Sequence, residues 1–371
     1  MLVGVPKEIK NNEYRVGLVP SSVRELIENG HQVIIEHNAG LGIGIDDAAY
    51  EMTGATIVEN AAQVFQQADM IVKVKEPQPA ECRMLREGQV LFTYLHLAPD
   101  PEQAHLLQAA GCIAIAYETV TNKHGGLPLL APMSEVAGRM AIQAGATSLE
   151  ITNQGSGILL GGVPGVAPAK VVVLGGGVVG TNSVRVAMGM GARVVVIDKS
   201  LERLYQLDLQ FGSKIVTIYS TTDAIERHVL TADLVIGAVL VPGGAAPRLV
   251  TRAMLKNMRP GSVMVDVSID QGGCFETSRP TTHQNPTYIV DGVVHYCVSN
   301  MPGAVPRTST FALNNATLPF VLALANKGYK EALLQDPHLR NGLNVYHGKF
   351  THQAVATALK QEYFPAEGLL L

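Results

Sequence analysis

The chain has no tryptophan, only 5% aromatic residues and four cysteines in 371 residues. The cysteines lie far apart and form no C-x-x-C pair; they are Cys82, Cys112, Cys274 and Cys297. This usage indicates neither a disulfide framework nor a thiolate metal site, so we expect a reducing, cytoplasmic setting. With 37 glycines and 47% hydrophobic residues, the composition is instead typical of a small-residue-rich α/β protein with an ample core.

Charge of either sign is scarce. Lys and Arg number 28 against 32 Asp and Glu, which gives a net charge of −4, and no run of basic residues occurs. Nucleic-acid binding needs a concentrated cationic surface, so no nucleic-acid partner is expected. The histidines show no metal-ligand spacing and no G-x-S-x-G motif is present. We therefore expect neither a catalytic metal nor hydrolysis by a nucleophile.

Long uncharged runs are also rare. The N-terminal segment reaches a charge within seven residues and lacks a secretory apolar core, so no export signal is expected. A stretch long enough to suggest a membrane span, Thr308 to Asn326, carries Asn314 and Asn315 at its middle and Pro319 beyond them. Such polar residues are expensive within a bilayer. We expect a buried helix there and no membrane partner.

The length exceeds what one hydrophobic core normally supports, so two domains are expected. The first 130 residues alternate short apolar runs with helical patterns, which favours a parallel sheet covered on both faces. The predicted strands are Leu2 to Val5, Val33 to Glu36, Met70 to Val74, Val90 to Tyr94 and Ile113 to Ala116. The predicted helices are Ser21 to Asn29, Asn60 to Gln67 and Pro101 to Ala110.

A second strand series follows a helix and a loop. Ser134 precedes apolar residues at helical spacing and is predicted to be the N-cap of a helix that crosses between the domains. The segment Gly155 to Pro168 is too rich in Gly and Pro to continue it. Six strands follow, which suits a doubly wound dinucleotide fold; they are Val171 to Leu174, Arg193 to Asp198, Ile215 to Tyr219, Asp233 to Val239, Ser262 to Ser268 and Thr287 to Val290.

A glycine motif links the first two of these strands. Gly175, Gly177 and Gly180 form G-x-G-x-x-G between a strand and a helical pattern. Gly175 allows a tight turn, Gly177 lets the backbone approach a pyrophosphate, and Gly180 lets the helix pack closely on the strand. The phosphates would lie at the helix N-terminus. Asp198 ends the next strand, where a carboxylate accepts hydrogen bonds from ribose hydroxyls and repels a 2′-phosphate. NAD is therefore favoured over NADP, although Lys199 partly offsets that repulsion.

The chain becomes helical again from Thr308 onward, with too few strands for a separate domain. This tail is expected to pack on the first domain, which makes that domain discontinuous. The expected fold class is α/β with two doubly wound domains. A Rossmann NAD-binding domain, residues 131–307, is inserted into a substrate domain of residues 1–130 and 308–371.

Ligands of open parallel sheets bind beyond the carboxyl ends of the strands. Four polar residues stand out there: Arg15 in the loop after the strand Leu2 to Val5, and Lys75, His96 and Asp270 at the ends of later strands. A guanidinium can grip a carboxylate, an ammonium can bind an oxygen, and an imidazole can carry protons near neutral pH. Because the first three belong to one domain and the fourth to the other, the pattern indicates a substrate between domains. Structural alternatives are a surface cation, a solvated strand end, a hydrogen-bonded histidine and a turn carboxylate, respectively.

Four segments carry a family resemblance. GVPKEIKNNEYRVGLVP (Gly4 to Pro20) and VVVLGGGVVGTNSVRVAMGMGARVVVID (Val171 to Asp198) resemble bacterial L-alanine dehydrogenases. They are also similar to the NAD-binding subunit of proton-translocating transhydrogenases. TYLHLAPD (Thr93 to Asp100) and VSNMPGAVPRTST (Val298 to Thr310) match the dehydrogenase pattern, including a histidine that the transhydrogenase subunit is expected to lack. An enzyme is therefore preferred, and a coupling subunit is the alternative.

The resemblance implies a homohexamer that oxidises L-alanine with NAD to pyruvate and ammonium, and that runs in reverse as a reductive amination. It implies that Arg15 and Lys75 bind substrate, that His96 is the general acid/base and that Asp270 is the second catalytic residue. A related dehydrogenase for a bulkier amino acid would use the same cations and stays open. Around NAD, besides Asp270, Asp198 and the three glycines, the resemblance places Ser134, Val178, Arg203, Ser220, Val239, Leu240, Val267, Asn300 and Met301.

Overall fold

A computed structural model of the chain describes residues 1–239 and 246–371. It divides into two compact units. Unit 1 comprises Met1–Met133 and Val305–Leu371, and unit 2 comprises Ser134–Ala304. Each unit contains one β-sheet with helices, so the prediction of an α/β fold with two sheets is confirmed.

The strands and helices are numbered here in chain order. The strands are β1 (Leu2–Val5), β2 (Gln32–Glu36), β3 (Thr56–Val58), β4 (Met70–Val72), β5 (Val90–Thr93), β6 (Ile113–Ala116), β7 (Lys170–Leu174), β8 (Arg193–Asp198), β9 (Ile215–Tyr219), β10 (Leu234–Gly237), β11 (Val263–Asp266), β12 (Thr287–Val290), β13 (Val293–Tyr296), β14 (Leu343–Tyr346) and β15 (Lys349–Phe350). The helices are α1 (Pro20–Glu28), α2 (Asp47–Glu51), α3 (Ala61–Gln67), α4 (Pro79–Cys82), α5 (Pro101–Ala110), α6 (Ala131–Ser148), α7 (Val178–Gly189), α8 (Leu201–Phe211), α9 (Thr222–Val229), α10 (Arg252–Leu255), α11 (Pro306–Lys327), α12 (Tyr329–Gln335), α13 (Pro337–Arg340), α14 (Gln353–Leu359) and α15 (Ala366–Leu370).

Helix α5 has the bounds that the sequence predicts, and its ends show why. The side chain of Asp100 caps the helix by accepting a hydrogen bond from the amide of Gln103 at 3.0 Å. Pro101 occupies the first turn, where its missing N–H costs nothing. The helix stops at Gly111, whose φ of 64° is the left-handed conformation that closes many helices.

The sheet of unit 1 has eight strands in the order β15-β14-β6-β5-β4-β1-β2-β3. The six strands β1 to β6 pair in parallel, but β14 is antiparallel to β6 and to β15. The prediction of a parallel sheet from the first 130 residues is therefore confirmed, and the tail adds an antiparallel pair at one edge. The tail forms a hairpin whose two turn residues, His347 and Gly348, have φ of 45° and 78°. Histidine is an unusual residue in such a turn, so the sequence pattern did not reveal it.

The sheet of unit 2 has seven strands in the order β12-β13-β11-β10-β7-β8-β9. Its central strands are parallel and follow the doubly wound order in which the first strand is central. Strand β13, which was not predicted, pairs antiparallel with β12. The turn between them contains Asp291 and Gly292, both with positive φ. Asp-Gly is a strong hairpin signal, so this strand could have been found.

The predicted N-cap at Ser134 was wrong. Helix α6 begins at Ala131, and Ser134 lies within it. Pro132 suits the first turn of a helix because its φ is already fixed, and the amide of Ala131 donates to the carbonyl of Leu127 at 2.9 Å. The helix therefore begins one turn earlier than the serine suggested.

Helix α11 contains the uncharged stretch of the tail. Leu313, Val321 and Leu324 are buried along it, and Pro319 lies inside it. Asn314 is also buried, and its side chain accepts a hydrogen bond from the amide of Val19 and donates one to the carbonyl of Gly17, at 2.9 and 3.2 Å. Within residues 1–239 and 246–371, no helix has the length and apolarity needed to cross a bilayer.

We predict that Asn314→Leu lowers the free energy of unfolding by about 2–4 kcal/mol, because two buried backbone groups would lose their partners. Urea denaturation followed by circular dichroism measures this. Asn315→Leu, at the exposed neighbouring position of the same helix, is the matched control and should change the unfolding free energy by less than about 0.5 kcal/mol. Equal effects of the two substitutions would contradict the assignment.

Candidate functional site

In unit 2, a glycine loop joins β7 to helix α7. Gly175 has a φ of 98°, which favours glycine, and its amide donates to the carbonyl of Ile197 at 2.8 Å. A Cβ on Gly180 would lie 1.9 Å from the carbonyl oxygen of Gly175, so any side chain there would push the helix away from the turn. A Cβ on Gly177 would meet no atom within 4 Å. The loop is therefore tight at its base and open above Gly177.

Asp198, at the end of β8, stabilises this loop by hydrogen bonds. One carboxylate oxygen accepts a hydrogen bond from the amide of Gly176 at 2.7 Å, and the other accepts one from the amide of Ser200 at 2.8 Å. Arg203 donates to the carbonyl of Gly176 at 2.5 Å. An open glycine turn, a helix N-terminus and a carboxylate at the next strand end are the features that hold the phosphates and ribose of a dinucleotide. These residues therefore fit NAD.

The other residues expected near the nucleotide are spread along the chain. Ser220 directly follows β9, and its amide donates to the carbonyl of Asp198 at 2.9 Å. The hydroxyl of Ser268 donates to the carbonyl of Val239 at 2.7 Å, which joins the ends of β10 and β11. Val178 begins α7, Val267 begins a short 3₁₀ helix after β11, Asn300 precedes Met301, which begins another, and Ser134 lies in α6. Leu240 lies outside the described residues.

Asp270 lies in the short 3₁₀ helix Val267–Gln271, which is held by a carboxylate that was not predicted. Asp266 ends β11 and is fully buried. It accepts hydrogen bonds from the amide of Cys274 at 2.9 Å and from the hydroxyl of Ser278 at 2.5 Å. Burial raises the pKa of Asp266, and these hydrogen bonds oppose that shift. An acidic residue inside an apolar strand was the available signal.

In unit 1, Arg15 is buried rather than a surface cation, with 2% of its side chain exposed. Its guanidinium donates two hydrogen bonds of 2.6 Å to the carboxylate of Glu13 and a third, of 3.0 Å, to the sulfur of Met133. Burial alone would lower the pKa of Arg15, but Glu13 more than offsets it and the pKa is raised. The guanidinium is thus fixed in orientation and permanently charged.

Lys75 is also mostly buried, so it is not a solvated strand end. Its side chain is 15% exposed, and its ammonium lies 3.9 Å from a carboxylate oxygen of Glu76. Burial lowers the pKa of Lys75, Glu76 opposes that shift, and the nearby charge of Arg15 adds to it. Two cations that repel each other in a mostly buried place favour the binding of an anion.

Beneath Lys75 lies a buried ion cluster that the sequence analysis missed. The ammonium of Lys73, fully buried, donates to Glu8 at 3.0 Å and to Glu81 at 2.8 Å. The other oxygen of Glu8 accepts hydrogen bonds from the amides of Val74 and Lys75 at 2.7 and 3.3 Å. This cluster therefore fixes the backbone that carries Lys75. A lysine within an apolar strand was the signal, but its partners are distant in sequence.

His96 follows β5, and 46% of its side chain is exposed. Its ring stacks on that of Tyr94, with centroids 5.8 Å apart and planes 8° from parallel. The hydroxyl of Tyr94 donates to the carbonyl of Leu129 at 2.5 Å. Burial raises the pKa of Tyr94, and the charge of Arg15 opposes that shift. Unit 1 thus gathers a guanidinium, an ammonium and an accessible imidazole in one neighbourhood.

These groups can do specific chemistry. The two cations can hold a small carboxylate, and the imidazole can exchange protons with a group beside it. In the described part of the chain, no three His, Cys, Asp or Glu side chains are grouped so that they could hold a metal ion. Unit 2 supplies Asp270 and the dinucleotide loop. The groups of unit 1 are suited to binding a small acid, and the glycine loop of unit 2 is suited to binding a dinucleotide, which supplies redox chemistry when bound.

Comparison with known proteins gives matches over the whole chain. The family profile "Alanine dehydrogenase/PNT, N-terminal domain" matches residues 4–137, and "Alanine dehydrogenase/PNT, C-terminal domain" matches residues 141–353. The chain is 60% identical to an alanine dehydrogenase of Halomonas elongata, with all of both chains covered. A solved L-alanine dehydrogenase superposes with a TM-score of 0.94 at 54% identity, covering 97% of this chain and 99% of the other. A transhydrogenase from Sinorhizobium meliloti gives 0.81 at 26% identity, covering 95% and 100%.

Two glycine substitutions should separate loop packing from ligand approach. Gly180→Ala is expected to lower the thermal unfolding midpoint by several degrees, because the added Cβ meets backbone at 1.9 Å. Gly177→Ala has room for its Cβ, so the midpoint should stay within about one degree while NADH affinity falls at least about tenfold. Thermal unfolding and NADH fluorescence titration measure the two effects.

Gly189→Ala, at the other end of the same helix and also with open space around a Cβ, is the control. It should change neither the affinity for NADH nor, beyond about one degree, the unfolding midpoint. Unaltered NADH binding by Gly177→Ala would show that the pyrophosphate does not approach this loop.

Proposed function

Because the chain belongs to the alanine dehydrogenase/PNT family, we propose that it catalyses the reversible NAD-dependent oxidative deamination of L-alanine to pyruvate and ammonium. The observation that carries this proposal is that the charge of Arg15 acts on the pKa values of both Lys75 and Tyr94, and that the ring of His96 stacks on Tyr94. Identity of 60% to a protein named alanine dehydrogenase supports it, against 26% to a transhydrogenase structure.

We propose that unit 2 holds NAD. The pyrophosphate would lie at the glycine loop and the N-terminus of α7, and the ribose would bind Asp198. The other residues proposed to contact NAD are those that the family resemblance implies: Ser134, Val178, Arg203, Ser220, Val239, Leu240, Val267, Asp270, Asn300 and Met301. NAD, when bound, supplies the acceptor for the hydride that leaves the α-carbon of the substrate. In this proposal the inserted segment, residues 131–307, is the NAD-binding domain, and residues 1–130 and 308–371 form the substrate domain.

We propose that Arg15 and Lys75 bind the substrate. The guanidinium of Arg15, oriented by Glu13, would grip the carboxylate, and the ammonium of Lys75 would hold a carboxylate or carbonyl oxygen. An anion between them would relieve their mutual repulsion. Because both side chains are mostly buried, little water competes for the bound oxygens, which strengthens each contact.

We propose that His96 and Asp270 catalyse the proton transfers of the deamination. The ammonium of L-alanine first gives up a proton, so that loss of hydride from the α-carbon leaves an iminium. Water adds to the iminium carbon and loses a proton, which gives a carbinolamine. Its nitrogen gains a proton and leaves as ammonia while its hydroxyl loses a proton, which gives pyruvate. His96 would take a proton from the attacking water and return one to the leaving nitrogen, as a general acid/base does. Asp270 would be the second catalytic residue. We further propose a cytoplasmic homohexamer, which the family resemblance implies.

The purified protein is expected to form NADH from L-alanine at alkaline pH, measured at 340 nm. His96→Ala should lower kcat at least about 100-fold, while the dissociation constant of NADH stays within about twofold. His105→Ala, at an exposed position on α5, is the matched control and should retain wild-type turnover. A panel of amino and 2-oxo acids would show whether a bulkier substrate is preferred.

Other outcomes of that assay would overturn the proposal in different ways. No NADH from alanine, together with hydride exchange once a membrane partner is supplied, would favour the coupling subunit of a transhydrogenase. Near-normal alanine oxidation by His96→Ala would remove His96 from the mechanism while leaving the activity in place.

Asp198→Ala should relax the preference for NAD. Removing the carboxylate removes its repulsion of a 2′-phosphate, so the ratio of kcat/KM for NAD to that for NADP should fall at least about tenfold. Steady-state kinetics with both nucleotides measures it. Asp208→Ala, an exposed carboxylate on α8, should leave the ratio unchanged, and an unaltered ratio in Asp198→Ala would count against the ribose contact.

A further inference from the structure

Two neighbouring strands of unit 1 bring a glutamate to the backbone of His96. Strands β5 and β6 are parallel, and Thr93 pairs with Ala116 at their carboxyl ends. His96 lies three residues beyond the first strand end, and Glu118 lies two residues beyond the second, in the 3₁₀ turn Tyr117–Thr119. The side chain of Glu118 is only 14% exposed. The register of the sheet therefore places this carboxylate beside the segment that carries the imidazole.

The carboxylate of Glu118 holds two consecutive amides. Its Oε1 accepts a hydrogen bond from the amide of His96 at 2.6 Å. The amide of Leu95 lies 3.3 Å from Oε1 and 3.2 Å from Oε2. His96 itself has a φ of 49°, a left-handed conformation that a residue with a side chain rarely adopts. These hydrogen bonds stabilise a backbone conformation that His96 would otherwise leave.

The same carboxylate faces the ring. The Nδ1 atom of His96 lies 3.9 Å from Oε1 of Glu118, which leaves Nε2 as the ring nitrogen turned away from the glutamate. The ring is nearly half exposed and stacks on Tyr94 alone among the aromatic side chains of the described residues. Few contacts fix such a ring, so its direction depends strongly on the backbone from which it projects.

We propose that Glu118 is a positioning residue, which holds the Leu95 and His96 amides so that the imidazole of His96 points at the reacting substrate. This inference rests on the dehydrogenase function proposed above. Proton transfer requires the donor and acceptor atoms within hydrogen-bond reach, so a small turn of the His96 backbone would slow turnover. Binding of NAD, which involves other residues, would be unaffected.

Three substitutions separate geometry from charge. Glu118→Gln keeps a carbonyl oxygen that can occupy the place of Oε1 and accept from both amides, so kcat for L-alanine oxidation should stay within about threefold of wild type. Glu118→Ala removes the acceptor and should lower kcat about 10- to 100-fold. Glu118→Asp keeps the charge but is one methylene shorter, so it should resemble Glu118→Ala rather than Glu118→Gln.

Each variant is assayed for kcat, for KM of L-alanine and for NADH affinity, beside Glu102→Ala, an exposed carboxylate in the first turn of α5. The expected loss lies in kcat, with NADH affinity and the Glu102→Ala control unchanged. A fully active Glu118→Ala overturns the proposal. So does a slow Glu118→Gln variant beside an active Glu118→Asp variant, because the charge and not the amide contact would then be responsible.

A second measurement is independent of turnover. In protein labelled with ¹⁵N-histidine, the His96 amide is identified by its absence from His96→Ala. The short hydrogen bond to a carboxylate should give it a downfield proton shift and slow exchange with water, both lost in Glu118→Ala. An unaltered His96 amide in Glu118→Ala overturns the positioning role even if the wild type proves inactive with alanine, which would instead contradict the proposed function.

Discussion

The backbone amides of the loops that follow parallel strands need hydrogen-bond acceptors. In this chain, side-chain carboxylates repeatedly provide them. An amide without a partner is costly once it is shielded from water. Glu8 accepts from the backbone that follows β4, and Glu118 from that following β5. In unit 2, Asp198 accepts from the glycine loop after β7, and Asp266 from the loop after β11. The same constraint recurs in both units.

These carboxylate–amide hydrogen bonds explain why the candidate residues Lys75, His96 and Asp270 lie just after strand ends. Side chains that bind or react are useful only if their backbones are fixed, and strand ends lead directly into loops, which are otherwise mobile. Lys75 projects from backbone held by Glu8, and His96 from backbone held by Glu118. Asp270 lies in the segment that Asp266 anchors. Glu8, Glu118 and Asp266 thus hold the backbone, and Asp198 does so in addition to its proposed contact with ribose.

The sequence predicted the elements with strong local signals. Helix α5 has the predicted bounds because a cap, a proline and a glycine mark its ends. Strand β6 has the predicted bounds because it is a short apolar run. The glycine loop has its predicted setting because its spacing encodes a local geometry. Hairpins at the sheet edges were missed, one with His347 in its turn. The partners of Lys73 and His96 could not be predicted, since only the tertiary fold brings Glu8 and Glu118 to them.

The pairing of β14 with β6 bears on how the polypeptide folds while it is synthesised on the ribosome. Strand β6 offers its outer row of amides and carbonyls to β14, yet more than half of the chain, including all of unit 2, is synthesised between the two. Until the last residues emerge, that row has no partner and resembles the open edge from which strands of separate molecules associate. Nascent unit 1 must therefore await its own C-terminus, while unit 2, continuous in sequence, can close its sheet first.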